Sequence, residues 1–568
     1  MAGVSGRPPA IVILGDGSLP AARRARDAID GAAIHGLAER TTGADLTFAN
    51  FGDALRQLFR DDVPIVAFCA AGIVIRTLGS LLENKRAEPP VIAVAEDGSA
   101  VVPLLGGLRG VNDLARRIGA ALGTQPAITT TGEIRFGATL EQPPPGYEVR
   151  NPGAGKRFMS DVLAGERIRL TGSAPWLSET RLPFDPNGRL SIIVTVRDTE
   201  PAERELVFHP QSVAVGVAAG ASDLPHRVLD ALKRHQIAPQ SVAAIVAAEK
   251  DAARPEIHAV AAALSRPLRF MPGSGDAAVL VRAAIPNPVE APPPDASVAI
   301  SIAAAPIGIA SIGRARGRLS VVGLGPGTID WRAPEAVRAL AEAEDILGYD
   351  TYVRMAGPFR DDQTIHASDN REELDRARHA LSLAAQGRSV AVVSSGDPGI
   401  FAMAAAMMEA LDGVDDPAWH GVELRMIPGI SAAQAAAARA GAPLGHDFCM
   451  ISLSDNLKPW EIIERRLDLA ARADLVIALY NPISRARPTQ LGLAIEILRR
   501  HRGPETPVVL GRDIGRPDET TAVVTLATLT PEAVDMRTVI LVGSSTTRTF
   551  PRADGTSWVY TPRWYGKR

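Results

Sequence analysis

The sequence predicts a multidomain α/β protein, and three observations support this. The chain has 568 residues, which at about 150 residues per domain is enough for roughly three to five domains. Short apolar runs alternate with helical patterns along most of the chain, an order typical of parallel sheets covered by helices. Two segments rich in proline and glycine, 142–156 and 285–295, interrupt the alternation, and such segments often mark domain boundaries.

Composition and charge narrow the class of function. Apolar residues make up 46% of the chain and charged residues 22%, with a formal net charge of −3, which argues against a broad basic surface for nucleic acid. Two cysteines, Cys69 and Cys449, are too few for a disulfide framework or a four-cysteine metal site, so no metal is expected. The N-terminus lacks a signal-peptide pattern, and no apolar run reaches the roughly 18 residues of a spanning helix. We therefore expect a cytoplasmic protein without nucleic-acid or membrane partners.

In the first half of the chain, the pattern of apolar runs predicts two α/β units separated by an irregular region. In residues 1–141 we expect strands at 10–14, 64–69 and 91–94 and helices at 21–29, 51–59 and 111–122. Residues 142–207 predict an irregular middle region with one strand at 190–196. In residues 208–304 we expect strands at 212–217, 242–247 and 298–302 and helices at 223–235 and 255–264. Residues 305–318 are predicted to be a linker.

Predicted strands and helices alternate most clearly in the last segment, residues 319–568. We expect strands at 319–323, 389–394 and 424–427, with helices at 333–343, 399–411 and 431–440. Asp397 and Ser431 are predicted to cap the second and third of these helices. Beyond Asp447 we expect strands at 448–453, 475–480, 508–512, 521–526 and 538–542 and helices at 459–473 and 490–502. This shift towards β predicts a second subdomain with a mixed sheet.

Four loops in the last segment follow predicted strands, at the ends where open α/β sheets bind ligands. They are GLGPG at 323–327, SSGDPGIF at 394–401, PGISA at 428–432 and LYNP at 479–482. The first departs from a dinucleotide-binding fingerprint, because Thr328 replaces a required glycine and Pro326 removes a backbone N–H. Taken singly, each loop fits an ordinary turn or helix cap as well as a binding loop.

Together, in this order and spacing, the four loops resemble the tetrapyrrole methylase family. The stretches ILGYDTY at 346–352 and LSDNLKPW at 453–460 are similar to the members that methylate precorrin-3B at C17, and the resemblance covers about 319–550. It implies a class III methyltransferase fold, in which two α/β subdomains enclose a cleft, and a homodimer formed through this domain. It also implies that S-adenosylmethionine binds folded in the cleft, chiefly to backbone groups. The implied reaction methylates precorrin-3B and contracts its ring to give precorrin-4.

The resemblance implies particular site residues. The expected cofactor-binding residues are Ser395, Gly396, Asp397, Ile400, Ser431, Ala432, Tyr480 and Asn481. The GLGPG loop is expected to shape the substrate trough rather than to hold the cofactor, through Gly323, Gly325, Pro326 and Gly327. The substrate carries several carboxylates, so arginines are expected at the cleft rim. The candidates are Arg354, Arg485 and Arg512, although surface ion pairs would explain these residues equally well.

The two chemical steps make different demands on the protein. Methyl transfer needs little acid–base assistance because the sulfonium is already activated, so holding the reactants in line supplies most of the acceleration. Ring contraction needs a base that takes the proton of a ring hydroxyl as the bond migrates. Asp397, Asp455 and His446 are candidates by residue type and location. Each of them also fits a purely structural role as a cap, a turn residue or a solvated loop residue.

Two stretches of the N-terminal segment resemble the N-terminal domain of cobalt-precorrin-5A hydrolase, which opens a δ-lactone on a corrin precursor. They are AAGIVIR at 70–76 and GGLRGVN at 106–112, and the candidate ligand-binding residues are Gly72, Arg76, Gly106, Gly107 and Asn112. Residues 211–303 resemble the C-terminal domain of that hydrolase in a degenerate form. The loop VGVAAGAS at 215–222 lacks the cysteine and arginine of the family's Gly-x-Gly-Cys-Arg-(Arg/Lys)-Gly pattern.

Several alternatives stay open on the sequence alone. The N-terminal half is either an active lactone hydrolase or a non-catalytic module that binds corrinoids. The C-terminal half either methylates precorrin-3B at C17, methylates another precorrin carbon, or is a regulatory binding protein that retains the cleft without turnover. The sequence is compatible with substrates that carry cobalt and with substrates that do not.

Overall fold

The computed structural model describes residues 8–29, 31–85, 88–360, 362–369 and 372–565. Its first sheet has six strands in the order β3-β2-β1-β4-β5-β6. The strands are β1 (Ala10–Ile13), β2 (Ala33–Leu37), β3 (Leu46–Phe48), β4 (Ile65–Phe68), β5 (Val91–Val94) and β6 (Val101–Leu105), and the helices are α1 (Leu19–Asp27), α2 (Phe51–Arg60), α3 (Ala71–Leu78), α4 (Val111–Leu122) and α5 (Thr131–Phe136). β1 to β5 are parallel, whereas β6 runs antiparallel to β5. Every residue of β1, β4 and β5 is buried, which explains their unbroken apolar runs.

The middle region is a small sheet with its own core, so the prediction of an irregular region at 142–207 is wrong. Four strands have the order β7-β10-β9-β8. They are β7 (Tyr147–Val149), β8 (Ile168–Thr171), β9 (Leu190–Val194) and β10 (Glu205–Pro210), accompanied by α6 (Gly155–Leu163) and α7 (Pro175–Ser178). Phe158, Leu177 and Phe208 are buried between them. The strands have three to six residues, too few alternating positions for their period to stand out in the sequence.

The third sheet has five strands in the order β14-β11-β12-β13-β15. The strands are β11 (Val213–Val217), β12 (Val242–Ala248), β13 (Leu268–Met271), β14 (Val298–Ile302) and β15 (Arg314–Ala315), and the helices are α8 (Leu224–Arg234), α9 (Pro255–Leu264) and α10 (Ala277–Ala284). β15 belongs to the predicted linker 305–318, which is therefore an ordered edge of this sheet. Arg269 donates from Nε to the Ile312 carbonyl and from Nη2 to the Gly313 carbonyl, both at 2.6 Å.

The fourth sheet is entirely parallel, with strand order β18-β17-β19-β16-β20. The strands are β16 (Arg318–Gly323), β17 (Asp345–Tyr349), β18 (Thr364–Ser368), β19 (Ser389–Ser394) and β20 (Glu423–Ile427), and the helices are α11 (Pro334–Glu342), α12 (Asp350–Ala356), α13 (Glu373–Ala385), α14 (Met403–Asp412) and α15 (Pro417–His420). Because the strands are parallel, their carboxyl ends share one edge. Three of the four predicted loops therefore start from the same side of one sheet.

The remaining residues form a second subdomain, and the predicted mixed sheet is confirmed. Its five strands have the order β22-β23-β26-β24-β25, beside a three-stranded sheet β21-β28-β27. The helices are α16 (Ala432–Ala440), α17 (Trp460–Arg472) and α18 (Gln490–Arg499), and the strands are β21 (Gly441–Ala442), β22 (Phe448–Ser452), β23 (Val476–Tyr480), β24 (Pro507–Arg512), β25 (Thr520–Thr525), β26 (Thr538–Val542), β27 (Arg548–Pro551) and β28 (Ser557–Tyr560). β22 and β23 are parallel, so the LYNP loop and the segment after β22 leave this sheet at one edge.

The third and fourth sheets are in direct contact. Arg316 Nε donates to the Gly421 carbonyl at 3.0 Å, and a Cβ on Gly421 would lie 2.6 Å from the Ala252 carbonyl oxygen. Ala252 follows β12, and Gly421 precedes β20. The carboxyl edge of the third sheet therefore packs, at this point, against the amino edge of the fourth. Within the described part of the chain, no helix combines the length and apolar character needed to cross a membrane.

Candidate active site

The loops after β16, β19 and β20 meet through their backbones. Gly325 and Gly396 exchange two hydrogen bonds, Gly325 N–H to Gly396 O at 3.1 Å and Gly396 N–H to Gly325 O at 2.8 Å. A Cβ on Gly429 would lie 2.2 Å from the Gly396 oxygen, and a Cβ on Gly323 would lie 2.7 Å from the same atom. Only glycine fits at these two positions, because the obstructing atoms are backbone.

Asp397 ties two of these loops together instead of capping a helix. Its Oδ1 accepts the Gly399 N–H at 2.8 Å, and its Oδ2 accepts the Gly429 N–H at 3.1 Å. The predicted cap at this position is wrong, since α14 begins only at Met403. Phe401 has φ of 53°, a left-handed conformation that interrupts the helical path before Met403.

The third loop leads into a capped helix, as predicted. Ser431 Oγ accepts the Gln434 N–H at 3.3 Å, and the Gln434 side chain accepts the Ser431 N–H at 3.0 Å, which completes a capping box. The Ala433 N–H donates to the Tyr480 hydroxyl at 2.9 Å, so this helix is joined to the end of β23. Burial raises the pKa of the Tyr480 phenol, which keeps it neutral.

Strained residues mark the loops of both subdomains. Phe401, Asn481 and Asp513 have φ of 53°, 51° and 48°, in the left-handed region that non-glycine residues rarely adopt. The Phe401 ring is half exposed and meets the Tyr480 ring edge-on at 5.4 Å. Asn481 is held by a bond from its Nδ2 to Ser452 Oγ at 3.0 Å. Such strain persists where the surrounding structure imposes it, and it concentrates at ligand sites.

The predicted cofactor residues are therefore brought together. Ser395 and Ile400 are half-buried in the loop that carries Gly396 and Asp397. Ser431 and Ala432 begin the adjoining helix, and Tyr480 reaches that helix from the second subdomain. Ser394 Oγ is buried beside them without a hydrogen-bond partner among the described residues. An unsatisfied hydroxyl and glycine-lined backbone loops suit a polar ligand that binds mainly to backbone groups.

The structure separates the three candidate bases. Asp455 follows β22, and its Oδ2 accepts a hydrogen bond from Gln490 Nε2 at 2.9 Å while Arg487 Nε lies 4.0 Å from its Oδ1. His446 precedes β22, so it lies at the opposite end of that strand, where its Nδ1 accepts the Asp447 N–H at 2.8 Å. Asp397 and Asp455 are thus at the loop edges, whereas the predicted place of His446 in the site is wrong.

The candidate arginines differ in how far they are engaged. Arg354 is largely exposed and forms an ion pair with Asp350 one turn earlier on α12. Arg485 is exposed in the loop after Asn481. Arg512 is held by Asp535 at 2.9 Å and by Asp513 at 3.1 Å. Of the three candidate arginines, Arg512 is therefore the one held by the most carboxylates of the protein itself.

Two cations at this edge were not predicted. Arg516, in the loop after β24, lies against the GLGPG loop, and a Cβ on Gly327 would lie 2.6 Å from its Cγ. Lys458 Nζ lies 5.9 Å from the centre of the Phe401 ring, and burial lowers the pKa of Lys458. Lys458 lies in the LSDNLKPW stretch, and the family resemblance of that stretch could have indicated it. For Arg516 the sequence offered only its position after a predicted strand.

The N-terminal candidates do not form one site. Gly72 and Arg76 follow the carboxyl end of β4, where the Arg76 guanidinium lies 3.4 Å from the position of a Gly72 Cβ. A Cβ on Gly106 would lie 2.5 Å from Pro90 Cα, at the amino end of β5. Gly107 and Asn112 follow Gly106 at that same opposite edge. The two groups of candidates are separated because β6 is antiparallel to β5 and returns the chain to the other edge of the sheet.

Polar groups on the N-terminal edges are engaged within the protein. Asn112 Nδ2 donates to Thr130 Oγ1 at 3.3 Å and also to Glu133, whose side chain is buried. In the third sheet, Gly220 lies in the degenerate loop after β11, and its N–H donates to Glu256 Oε1 at 3.1 Å. This backbone N–H, which could otherwise meet an anionic ligand, is therefore already bonded to a carboxylate of the protein.

Comparisons with known proteins agree with the C-terminal geometry. Residues 318–530 match the model of the family described as Tetrapyrrole (Corrin/Porphyrin) Methylases. A relative from a Sinorhizobium species, named precorrin-3B C(17)-methyltransferase, is 55% identical over 250 residues, which make up 44% of this chain and 97% of the relative. The fold and site define a two-subdomain α/β methyltransferase. The chain belongs to the tetrapyrrole methylase family.

Further comparisons give two more methyltransferase relatives and one match in the N-terminal half. The cobalamin biosynthesis protein CobIJ of Mycobacterium bovis is 52% identical over 253 residues, 44% of this chain and 48% of that protein. The crystal structure of the methyltransferase CobJ is 54% identical and covers 43% of this chain and 100% of its own, with a TM-score of 0.41. Residues 53–133 match the model described as Cobalamin synthesis G N-terminal, which confirms the resemblance predicted for that region.

Proposed function

We propose that the C-terminal half transfers the methyl group of S-adenosylmethionine to C17 of precorrin-3B and contracts the macrocycle to precorrin-4. The observation that carries this proposal is that Gly323, Gly396 and Gly429, from three loops of one sheet, are in contact. Tyr480, from the end of a strand in the other subdomain, bonds to the helix that follows the third of these loops. The relative that is 55% identical, and named for this reaction, supports the choice of substrate. Tetrapyrrole methylases use S-adenosylmethionine as their methyl donor, and membership of this family supports the choice of that cofactor.

The chain's own residues bind and orient the reactants. The bound cofactor supplies an activated methyl group. Backbone groups of 395–400 and 431–432, together with Tyr480 and Asn481, hold its polar parts. Because the sulfonium needs no acid catalyst, the protein's contribution to this step is alignment. The loops are held in place by the Asp397 bridge to Gly429 and the Tyr480 bridge to Ala433.

We propose Asp455 as the base for ring contraction. It lies at the carboxyl end of β22, and Arg487 Nε lies 4.0 Å from its Oδ1, beyond hydrogen-bond distance. In this step the carboxylate takes the proton of the ring hydroxyl while the carbon–carbon bond migrates. Asp397 is less suited, since both of its carboxylate oxygens already accept backbone N–H groups.

A direct test supplies purified protein with isotopically labelled S-adenosylmethionine and precorrin-3B, in parallel with the cobalt-containing counterpart. We expect one labelled methyl group at C17 of a contracted ring, identified by mass spectrometry and NMR. Label at another carbon would support the alternative that this chain methylates a different position. Binding of both ligands without transfer would support a regulatory binding protein.

For the N-terminal half we propose a non-catalytic corrinoid-binding module. Three observations support this. The candidate residues lie on opposite edges of the first sheet, and the loop after β11 lacks the family's cysteine and arginine. The Gly220 N–H of that loop is already bonded to the Glu256 carboxylate. The full chain incubated with cobalt-precorrin-5A should release no acetaldehyde above the level without protein. Stoichiometric release would show an active lactone hydrolase instead.

A further inference from the structure

A cavity of about 500 Å³ opens where the loops of the two methylase subdomains meet. Its lining comes from three places: the loop after β16, the end of α12 and the loop after β24. The lining residues are Gly327, Thr328, Met355, Gly515, Arg516 and Pro517. The only charged side chain among these lining residues is Arg516.

Gly327 provides the space in which the Arg516 side chain lies. A Cβ at position 327 would stand 2.6 Å from Arg516 Cγ and 2.6 Å from the Gly515 carbonyl oxygen. Gly327 is not in the left-handed region, so close approach rather than backbone conformation requires glycine here. The last glycine of the GLGPG loop therefore determines where the Arg516 guanidinium can sit.

The Arg516 guanidinium is only weakly engaged by the protein. Its Nη2 contacts Met355 Sδ at 3.5 Å, and a thioether is a weak acceptor. Its Nη1 lies 3.8 Å from Asp513 Oδ1, beyond good hydrogen-bond distance. The Asp513 carboxylate is shared with two closer arginines, Arg512 at 3.1 Å and Arg537 at 3.0 Å.

A second polar group faces the same space. Thr328 Oγ1 accepts the Asp330 N–H at 3.3 Å, which leaves its own O–H free to donate. A guanidinium fork and a hydroxyl donor together suit a planar anion with two oxygens. Lysine would supply the charge at position 516 but not the two parallel donors.

We propose that this cavity is a carboxylate-binding subsite, in which Arg516 holds an acidic side chain of the tetrapyrrole and so determines how the macrocycle is oriented. The inference rests on the proposed function and adds to it a residue outside the predicted trough set. Arg516 acts as a positioning and specificity residue, because it contacts a peripheral carboxylate rather than the reacting carbons.

The test measures binding of a polycarboxylate tetrapyrrole, uroporphyrin III, by fluorescence titration in the presence of S-adenosylhomocysteine. Arg516→Met keeps the side-chain stem on Gly327 but removes the guanidinium, and we expect the Kd to rise about tenfold or more. Arg516→Lys should give an intermediate loss. Arg378→Met is the matched control, since Arg378 is exposed on α13 and pairs with Asp375 at 3.3 Å.

A second variant tests the role of Gly327. Gly327→Ala displaces the Arg516 stem, so its Kd should rise as in Arg516→Met, and the double variant should lose no further affinity. Unchanged tetrapyrrole affinity in Arg516→Met, or no binding of uroporphyrin III to the unaltered protein, would overturn the subsite.

Turnover then separates this inference from the proposed function. With precorrin-3B, Arg516→Met should raise KM with kcat and the affinity for S-adenosylhomocysteine little changed. If the tetrapyrrole binding differences hold but no methyl group is transferred to C17 by any form, the subsite stands and the proposed reaction fails.

Discussion

The sheets β16–β20 and β1–β6 both carry glycine-rich loops at their strand ends, but only the first brings its loops into contact. In the β16–β20 sheet all strands are parallel, and Gly323, Gly396 and Gly429 meet at one edge. In the β1–β6 sheet the antiparallel strand β6 carries Gly106 to the edge opposite Gly72. Strand direction, as much as the motif itself, decides whether separate loops build one site.

The largest expected effect comes from disturbing the contact of the three loops. Gly429→Ala would place a methyl group 2.2 Å from the Gly396 carbonyl oxygen, which cannot move without opening the loops. We expect S-adenosylhomocysteine affinity to fall by about 100-fold or more, measured by isothermal titration. Gly503→Ala is the control, since nothing lies within 4 Å of its Cβ. Equal affinity in both variants would contradict the account.

The next effect concerns ring contraction. Asp455→Asn should slow this step about 100-fold or more and leave methyl transfer nearly intact, because only the base is lost. Single-turnover mass spectrometry and NMR should then reveal a methylated product whose ring has not contracted. Asp447→Asn, at the other end of β22, is the matched control and should behave as the unaltered protein. Normal contraction by Asp455→Asn would exclude this residue as the base.

A smaller effect is expected at the junction of the two methylase subdomains. Tyr480→Phe leaves the Ala433 N–H without its acceptor at 2.9 Å, a loss of about 1–3 kcal/mol for a buried donor. Cofactor affinity should fall about tenfold. Tyr560→Phe is the control, because the Tyr560 ring contacts Phe550 at 5.8 Å on the C-terminal hairpin. An unchanged Kd in Tyr480→Phe would show that this bond does not organise the site.

The smallest effect is expected in the N-terminal half. Glu256→Gln keeps an acceptor for the Gly220 N–H, so the melting temperature should shift by no more than about 2 °C. If the N-terminal half is non-catalytic, methyl transfer should also stay unchanged and acetaldehyde should remain at background. Glu256→Ala removes the acceptor, and a gain of lactone-opening activity in that variant would show that Glu256 blocks a functional site.

Much of the fold was predictable because the central strands are continuously apolar. β19 and β26 have the predicted bounds, and every residue of β26 is buried. Strands β2 and β3 were missed, since His35 and Gly36 interrupt the apolar residues of β2 and β3 has only three residues. β6 was missed as well, and with it the separation of the N-terminal candidates.

The site was predictable where it depends on local sequence and not where it depends on long-range contact. Strand-end glycines and the Ser431 cap are visible in the sequence. The role of Asp397 was not, because it follows from the left-handed Phe401 and from Gly429 on another loop. The contact between Gly327 and Arg516 joins different subdomains, and no spacing rule indicates it.

The most direct test of the account is a crystal structure of the full chain with S-adenosylhomocysteine. We expect one molecule per chain in the methylase cleft, in contact with the loop at 395–400, with Ser431 and Ala432, and with Tyr480 and Asn481. A ligand that binds outside this cleft, or mainly to the GLGPG loop, would contradict the claim that the loops after β19 and β20, together with Tyr480 and Asn481, hold the cofactor.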